Sequence, residues 1–337
     1  MPDPFITFNC RIITPMFLGN AIGKAELRPS SIKGALRFWW RAMHGHLASN
    51  ELKKVESKIF GGVPEDERNT YKIGRSKVSV QILKRPDKMP IYGLPSEFGW
   101  TTMYANTYKN VRGQLVERRE YNFDIIKFLA YGAEKREYYP IETEFSFSLK
   151  FEEPALKNEL IHAVLLMSTF GGLGAKSRNG FGRFSFTIEG NDEIPNLNAL
   201  LNTLKTGTRS EYTSFSDDIQ LHQLNSALGR TSEWNQVVSD LGRKYKISKE
   251  LLGDKPYDYD KRVIIAAPIG RIQYRHAKTY FFGVTKQSDE YAGYLLFLPY
   301  HFLAKSNNIQ GVNDNEDNYN TINSEFINAF TGMTKII

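Results

Sequence analysis

The chain has a single cysteine, Cys10, so neither an intramolecular disulfide framework nor a cysteine zinc site is open to it. Cys10 lies in a strand-like run, FITFNCRII, where it is expected to pack as a small hydrophobe. The six histidines are dispersed and form no His-x-x-x-His pair, so no metal site is expected. No apolar run approaches the roughly 18 residues that a membrane helix needs, and no basic-then-apolar leader opens the sequence. No membrane partner is expected, and the expected location is cytoplasmic. Also missing is a Gly-x-x-x-x-Gly-Lys-Ser/Thr phosphate loop after a strand; no nucleotide cofactor is expected.

What is present is a core and a charge. Of 337 residues, 41% are hydrophobic and 13% aromatic, enough for one large or two modest domains. The net charge of +7 makes an anionic partner plausible only where the cations cluster.

They cluster first in LRPSSIKGALRFWWRAMHGHLA, residues 27–48. Pro29 belongs at a helix start, with Ser30 or Ser31 expected to cap the first free N–H groups. At roughly 100° per residue, Ile32, Ala35, Leu36, Trp39, Ala42, Met43 and Leu47 fall on one side. Lys33, Arg37, Trp40, Arg41 and His44 fall on the other, with no carboxylate among them. A solvated face usually interleaves Glu with Lys and carries no Trp, whereas a groove for phosphates and stacked bases accounts for both features. Charge reversal at Lys33 and Arg37 is therefore expected to weaken RNA binding and spare the fold.

The second cluster is GGLGAKSRNGFGRF, residues 171–184. Gly171, Gly172, Gly174, Gly180 and Gly182 flank Lys176 and Arg178. Successive glycines can point backbone N–H groups into one concavity that suits a phosphate. A bare structural turn is the alternative, though a turn does not require two cations.

Along the chain, residues 5–13 read as a strand, 78–83 as a second, 145–151 (FSFSLKF) as a third and RFSFTIE as a fourth. The basic helix lies between the first two, and a helix opened by Pro154 and running to Gly171 lies between the last two. His162 within it reads as structural. The order βαββαβ is the ferredoxin-like arrangement. Residues 84–139 are irregular and read as an insertion with a short helix near Asp124–Tyr131. Its Trp100, Tyr104, Tyr108 and Tyr121 exceed what a solvated loop needs and mark a candidate subunit interface. Residues 196–253 read as mostly helical, then 262–270, 278–286 and 293–303 as strands, 305–320 as a mobile loop, and a last helix carries Ile322, Phe326, Ile327 and Phe330. The topology of this half does not follow from its sequence.

The basic helix and the glycine loop, together with TPMFLG (14–19), IFGG (59–62), GRSKVSV (74–80) and FLAYG before FSFSLKF, resemble the RAMP proteins of CRISPR effector complexes. Among these, the pattern looks most like the first Cmr subunit family of the type III-B complex, over roughly residues 5–190. The resemblance implies an α+β chain of tandem ferredoxin-like, RRM-like units. The first spans 1–192 with its insertion at about 84–139 and the glycine-rich loop at 171–182; the second spans 193–337. It implies a non-catalytic, RNA-binding role in antiviral defence, with other Cmr subunits, guide CRISPR RNA and target single-stranded RNA as partners. RNA contacts are then expected from Lys33, Arg37, Trp40, Arg41, His44, Gly171, Gly172, Gly174, Lys176, Arg178, Gly180 and Gly182.

The competing reading is a metal-independent endoribonuclease using His44, since related RAMP proteins cleave guide RNA with a histidine. Against it, a continuing helix would turn His46 about 200° from His44, too far to share one phosphate.

Overall fold

The computed structural model describes residues 4–62, 75–95, 100–103, 108–109, 115–116, 121–190, 192–205, 207–225, 230–231, 233–252, 261, 264–266, 278–301 and 316–337. Alternation of apolar and polar residues builds β1 (Phe5–Ile12), whose Ile6, Phe8, Cys10 and Ile12 are buried. The chain then forms α1 (Pro29–Met43) and α2 (Ser49–Phe60) and returns as β2 (Val78–Lys84). The insertion is a ribbon of short strands: β3 (Ile91–Tyr92), β4 (Trp100–Met103), β5 (Tyr108–Lys109), β6 (Leu115–Val116), β7 (Tyr121–Asp124) and β8 (Glu137–Tyr138). Their pairing is nested, β3 with β8, β4 with β7 and β5 with β6. Between β7 and β8 lies α3 (Ile125–Ala130), capped by the Asp124 carboxylate on the Lys127 amide. Of the aromatics proposed for an interface, Trp100, Tyr108 and Tyr121 fall on these strands with side chains outside the described structure, and Tyr104 lies outside the described residues.

The core resumes with β9 (Glu144–Phe151), α4 (Leu156–Leu166), one π-helical turn (Met167–Gly171) and β10 (Phe184–Ile188). The sheet order is β10-β1-β9-β2, every pair antiparallel, which is the fourth-first-third-second order of a ferredoxin-like unit. On the helix side, Phe8 pairs with Phe147 and stacks on it at 5.1 Å, while Cys10 pairs with Phe145. Burial pushes the Cys10 thiol pKa well up, as for an inert packing residue. On the opposite face the same registers line up Thr7 with Ser148 and Asn9 with Ser146. Gln81 pairs with Ser148 from β2, and Thr187 with Asn9 from β10. The centre of that face is hydroxyl and amide, with Phe5 beside Lys150 at one end and the Arg11–Glu144 pair at the other, so it lacks the central aromatic rows on which an RNA-recognition sheet stacks bases.

After α5 (Leu197–Thr203) the second unit comprises β11 (Gln220–Leu224), β12 (Arg230–Thr231), α6 (Trp234–Leu251), β13 (Tyr280–Gln287), β14 (Glu290–Phe297), α7 (Glu316–Asn328) and β15 (Met333–Lys335). β13 pairs along all of β14, so β11 and β12 share the other edge of β14, and β15 lies beyond β11. The order β15-β11-β14-β13 is again fourth-first-third-second, which makes the fold a tandem ferredoxin-like α+β structure.

Three sequence expectations fail here. The 196–253 stretch contains the strand β11, whose five residues bury only Leu221 and Leu224 and are too short to show a period against helical flanks. Ile264 and Ile265, expected in a strand, are helical and buried; the rest of 262–270 except residue 266 lies outside the described residues. Of the expected loop at 305–320, residues 316–320 begin α7 and 305–315 lie outside the described residues. The two units also share a core, since Phe215, Leu221, Phe281, Leu296 and Leu298 join the cluster built on α1 and α4.

Candidate nucleic-acid surfaces

The basic face of α1 is covered. The helix starts at Pro29 with Arg28 as N-cap and no side-chain cap, so Ser30 and Ser31 do not play that part. Proline at the first turn has no N–H to satisfy, which lowers the need for one. Lys33 Nζ donates to Ser76 Oγ at 2.6 Å, and burial, with Arg37 nearby, lowers its pKa. Arg37 and Arg41 both bind the carboxylate of Glu56 from α2; Arg41 does so through Nε at 3.0 Å and Nη2 at 2.6 Å. Glu56 is buried, and burial alone would raise its pKa. Hydrogen bonds and charge from Arg41 and Arg37 outweigh that and hold it below its usual value. The carboxylate missing from the helix is thus supplied by its neighbour.

Trp40, expected among the exposed cations, is 1% exposed. Its Nε1 donates to Glu159 Oε2 of α4 at 2.7 Å, and its ring stacks on His44 at 3.9 Å. It cannot stack a base from there. The helix ends at Met43, so His44 is its C-cap, with Nδ1 2.7 Å from the Trp40 carbonyl oxygen and Nε2 3.7 Å from Glu159. Beyond a helix end the 100° rule lapses. The His44 and His46 rings lie 5.8 Å apart, which corrects the expectation that they point apart.

The glycine loop is built by close backbone contacts. Gly172, Gly174, Gly180 and Gly182 all have positive φ. A Cβ on Gly171 would overlap the Trp39 indole, one on Gly174 the Phe17 carbonyl oxygen, and one on Gly182 the Leu173 carbonyl oxygen. The loop amides face inward: Gly172 donates to Met167, Leu173 to Gly182, Ala175 to Phe17, Asn179 to Lys176, Gly180 to Ser177 and Gly182 to Pro15. These six N–H groups are satisfied within the protein. Arg178 is folded inward as well, its guanidinium 4.7 Å from the Phe281 ring and donating to the Lys278 carbonyl. Burial lowers its pKa. Lys176 remains. It adopts a left-handed conformation (φ 59°), is partly exposed, and makes no side-chain hydrogen bond or ion pair with the described residues.

Two residues that sequence patterns did not single out organise this seam. Arg183 is fully buried and donates through Nη2 to the carbonyls of Phe170 (2.6 Å), Ser177 (2.7 Å) and Phe282 (2.5 Å), and through Nη1 to Phe181 (3.3 Å). Burial pushes its pKa down to about 9, which leaves it a cation at neutral pH. One guanidinium thereby ties the π turn and the loop to β13. Lys278 donates to Asn179 Oδ1 at 2.8 Å and lies 4.2 Å from the rings of Tyr245 and Phe282. Burial, with Lys249, Arg178 and Arg183 nearby, lowers its pKa. The only prior signal was Arg183 following Gly182, which read as the start of a strand.

The two predicted clusters do not merge. Trp39, which touches Gly171, is about 200° round α1 from Arg37, so the helix cations face away from the loop. Among the described residues no group of three His, Cys, Asp or Glu is placed to hold a metal ion, and no helix is long and apolar enough to cross a membrane.

Comparison with known proteins gives a consistent result. The Pyrococcus furiosus Cmr subunit Cmr1-2 is 25% identical over 184 residues, 52% of this chain and 91% of that protein. Cmr1-1 of the same organism is 25% identical over 175 residues, 51% of this chain and 44% of its own length. The crystal structure of Pyrococcus furiosus Cmr1 in its apo form superposes on 98% of both chains with a TM-score of 0.58 at 17% identity, which shows the shared fold. The sequence pattern of the RAMP superfamily matches residues 9–185, more than half of the chain, and within that span lie the second half of β1, all of α1 and α4, and the glycine loop. The chain is a Cmr1-like protein and belongs to the RAMP superfamily.

Proposed function

We propose that the chain is a non-catalytic, RNA-binding subunit of a type III-B Cmr ribonucleoprotein complex in the cytoplasm, holding guide CRISPR RNA and target single-stranded RNA beside other Cmr subunits. The observation that carries the RNA part is Lys176. A non-glycine residue in the left-handed region costs roughly 1–2 kcal/mol, and such strain concentrates at functional sites. Here it holds an ammonium that has no partner among the described residues, on a loop that five glycines force into shape. Arg37 and Arg41 are each about one-third exposed and keep N–H groups beyond those bound by Glu56, so they form a second, weaker phosphate contact. The division of the chain near residue 192, after the last strand of the first sheet, belongs to the same proposal. The test is native purification with co-purifying RNA and proteins identified; Cmr subunits with a guide RNA are expected, and a chain recovered without either overturns the assignment.

A second reading has one observation in its favour, the His44–His46 separation of 5.8 Å, which suits an acid–base pair on one phosphate. His44, however, caps α1 and stacks on Trp40. RNA cleavage by the pure chain without metal, abolished by His44→Ala, would establish the endoribonuclease; no turnover is expected.

A further inference from the structure

A cleft of about 610 Å³ opens between the Phe17–Lys24 loop and the β3–β8 ribbon. It adjoins the glycine loop, because Phe17 pairs with Ala175, next to Lys176. Its rim is held in place. The Asn20 side-chain oxygen accepts from the amides of Ile22 at 3.1 Å and Lys24 at 3.0 Å. Glu137 accepts from the Ala25 amide at 2.8 Å and from Lys24 Nζ at 2.7 Å, which fastens the loop to β8 and offsets the carboxylate charge in the cleft. Tyr92, opposite Glu137 in the ribbon register, is 73% exposed, and Ile22 is 82% exposed. Lys135 and Arg136 are exposed, and their side chains have no partner among the described residues.

A rigid cleft with one exposed aromatic ring, one exposed aliphatic side chain and two cations unpaired among the described residues matches the chemistry of a nucleotide: a flat π-face to stack and a phosphate to neutralise. Its volume is within the range of small-ligand pockets. We propose that this cleft takes one unpaired nucleotide of single-stranded RNA, its base against Tyr92 and Ile22 and its phosphate on Lys135 and Arg136, continuing a backbone track from Lys176. The assignment rests on the RNA-binding reading above and adds a base site that neither the basic helix nor the glycine loop contains.

The test uses the full chain and a 15-nucleotide oligouridylate labelled at its 5′ end, with an abasic oligonucleotide of the same length and a 15-base-pair RNA duplex beside it. Tyr92→Ala is expected to weaken oligouridylate binding about tenfold, Tyr92→Phe to bind like the parent, and both to melt at the parent temperature because the side chain is exposed. The abasic oligonucleotide should bind the parent as weakly as oligouridylate binds Tyr92→Ala, and the variant should not distinguish the two. Lys135→Ala with Arg136→Ala should flatten the salt dependence by about 0.7, the value for one phosphate contact on a single strand. Duplex affinity should not depend on Tyr92. Salt-dependent oligouridylate binding that is identical in the parent and Tyr92→Ala removes the base site while leaving the RNA reading standing. Absence of oligouridylate binding by the parent at low salt removes both.

Discussion

The basic helix and the glycine loop present similar sequence signals, cations in an unusual setting, yet the structure uses them in opposite ways. On α1 the cations are the packing elements: Arg37 and Arg41 hold Glu56, and Lys33 holds Ser76. In the loop the glycines are the packing elements, Arg178 is drawn inward, and Lys176 alone is left for a ligand. Counting cations in a sequence therefore does not count cations available to RNA. Availability depends on whether a carboxylate or carbonyl from another element arrives first.

The comparison breaks most directly at its buried members. Trp40→Ala should lower stability by about 3–5 kcal/mol, the usual cost of an emptied aromatic site, whereas a base-stacking Trp on an open face would give no change in thermal or denaturant unfolding. Gly174→Val should be comparably severe, at least about 3 kcal/mol by the same measurement, since it adds a side chain at φ 93° against the Phe17 carbonyl.

An intermediate effect is expected at the Glu56 pair. Glu56→Gln should cost about 2 kcal/mol at pH 7, less than a fully buried pair because both guanidiniums are partly exposed. The folded pKa of Glu56 lies below its ordinary 4.5, so the parent's advantage should be complete above that pH. It should decline as pH falls through the folded value; a parent–variant difference constant from pH 7 to pH 3 would contradict this. For the same reason Arg37→Glu, with or without Lys33→Glu, should destabilise the fold rather than spare it.

The smallest effect in stability should be the most informative for function. Lys176→Gly should raise stability by about 1 kcal/mol by relieving the left-handed lysine, while weakening RNA binding and reducing the salt slope by about 0.7. A stabilised variant that binds RNA like the parent at every salt concentration would make the loop a turn and nothing more.

Much of the first unit was readable because its signals are local. Alternation in FSFSLKF places Phe145, Phe147, Leu149 and Phe151 on one face within seven residues, and each is buried in β9. The 3.6-residue period of α1 placed Ile32, Leu36, Trp39 and Met43 in the core equally well. Where elements are short or end, local reading lost its hold. β11 was absorbed into a helical stretch, and the end of α1 at Met43 rotated His46 back toward His44.

The sequence by itself determined the four core strands and two core helices of the first unit and their ferredoxin-like order, because side-chain periodicity and turn residues act over a few positions; α2 and the short strands β3–β8 of the insertion were not legible in it. Tertiary structure alone decided the fate of the charged and aromatic side chains. Arg41 meets its carboxylate 15 residues away, Trp40 meets Glu159 across 119, and Arg183 reaches Phe282 across 99. A buried charge is tolerated only when its partners converge on it, and that convergence exists only once distant elements have packed together.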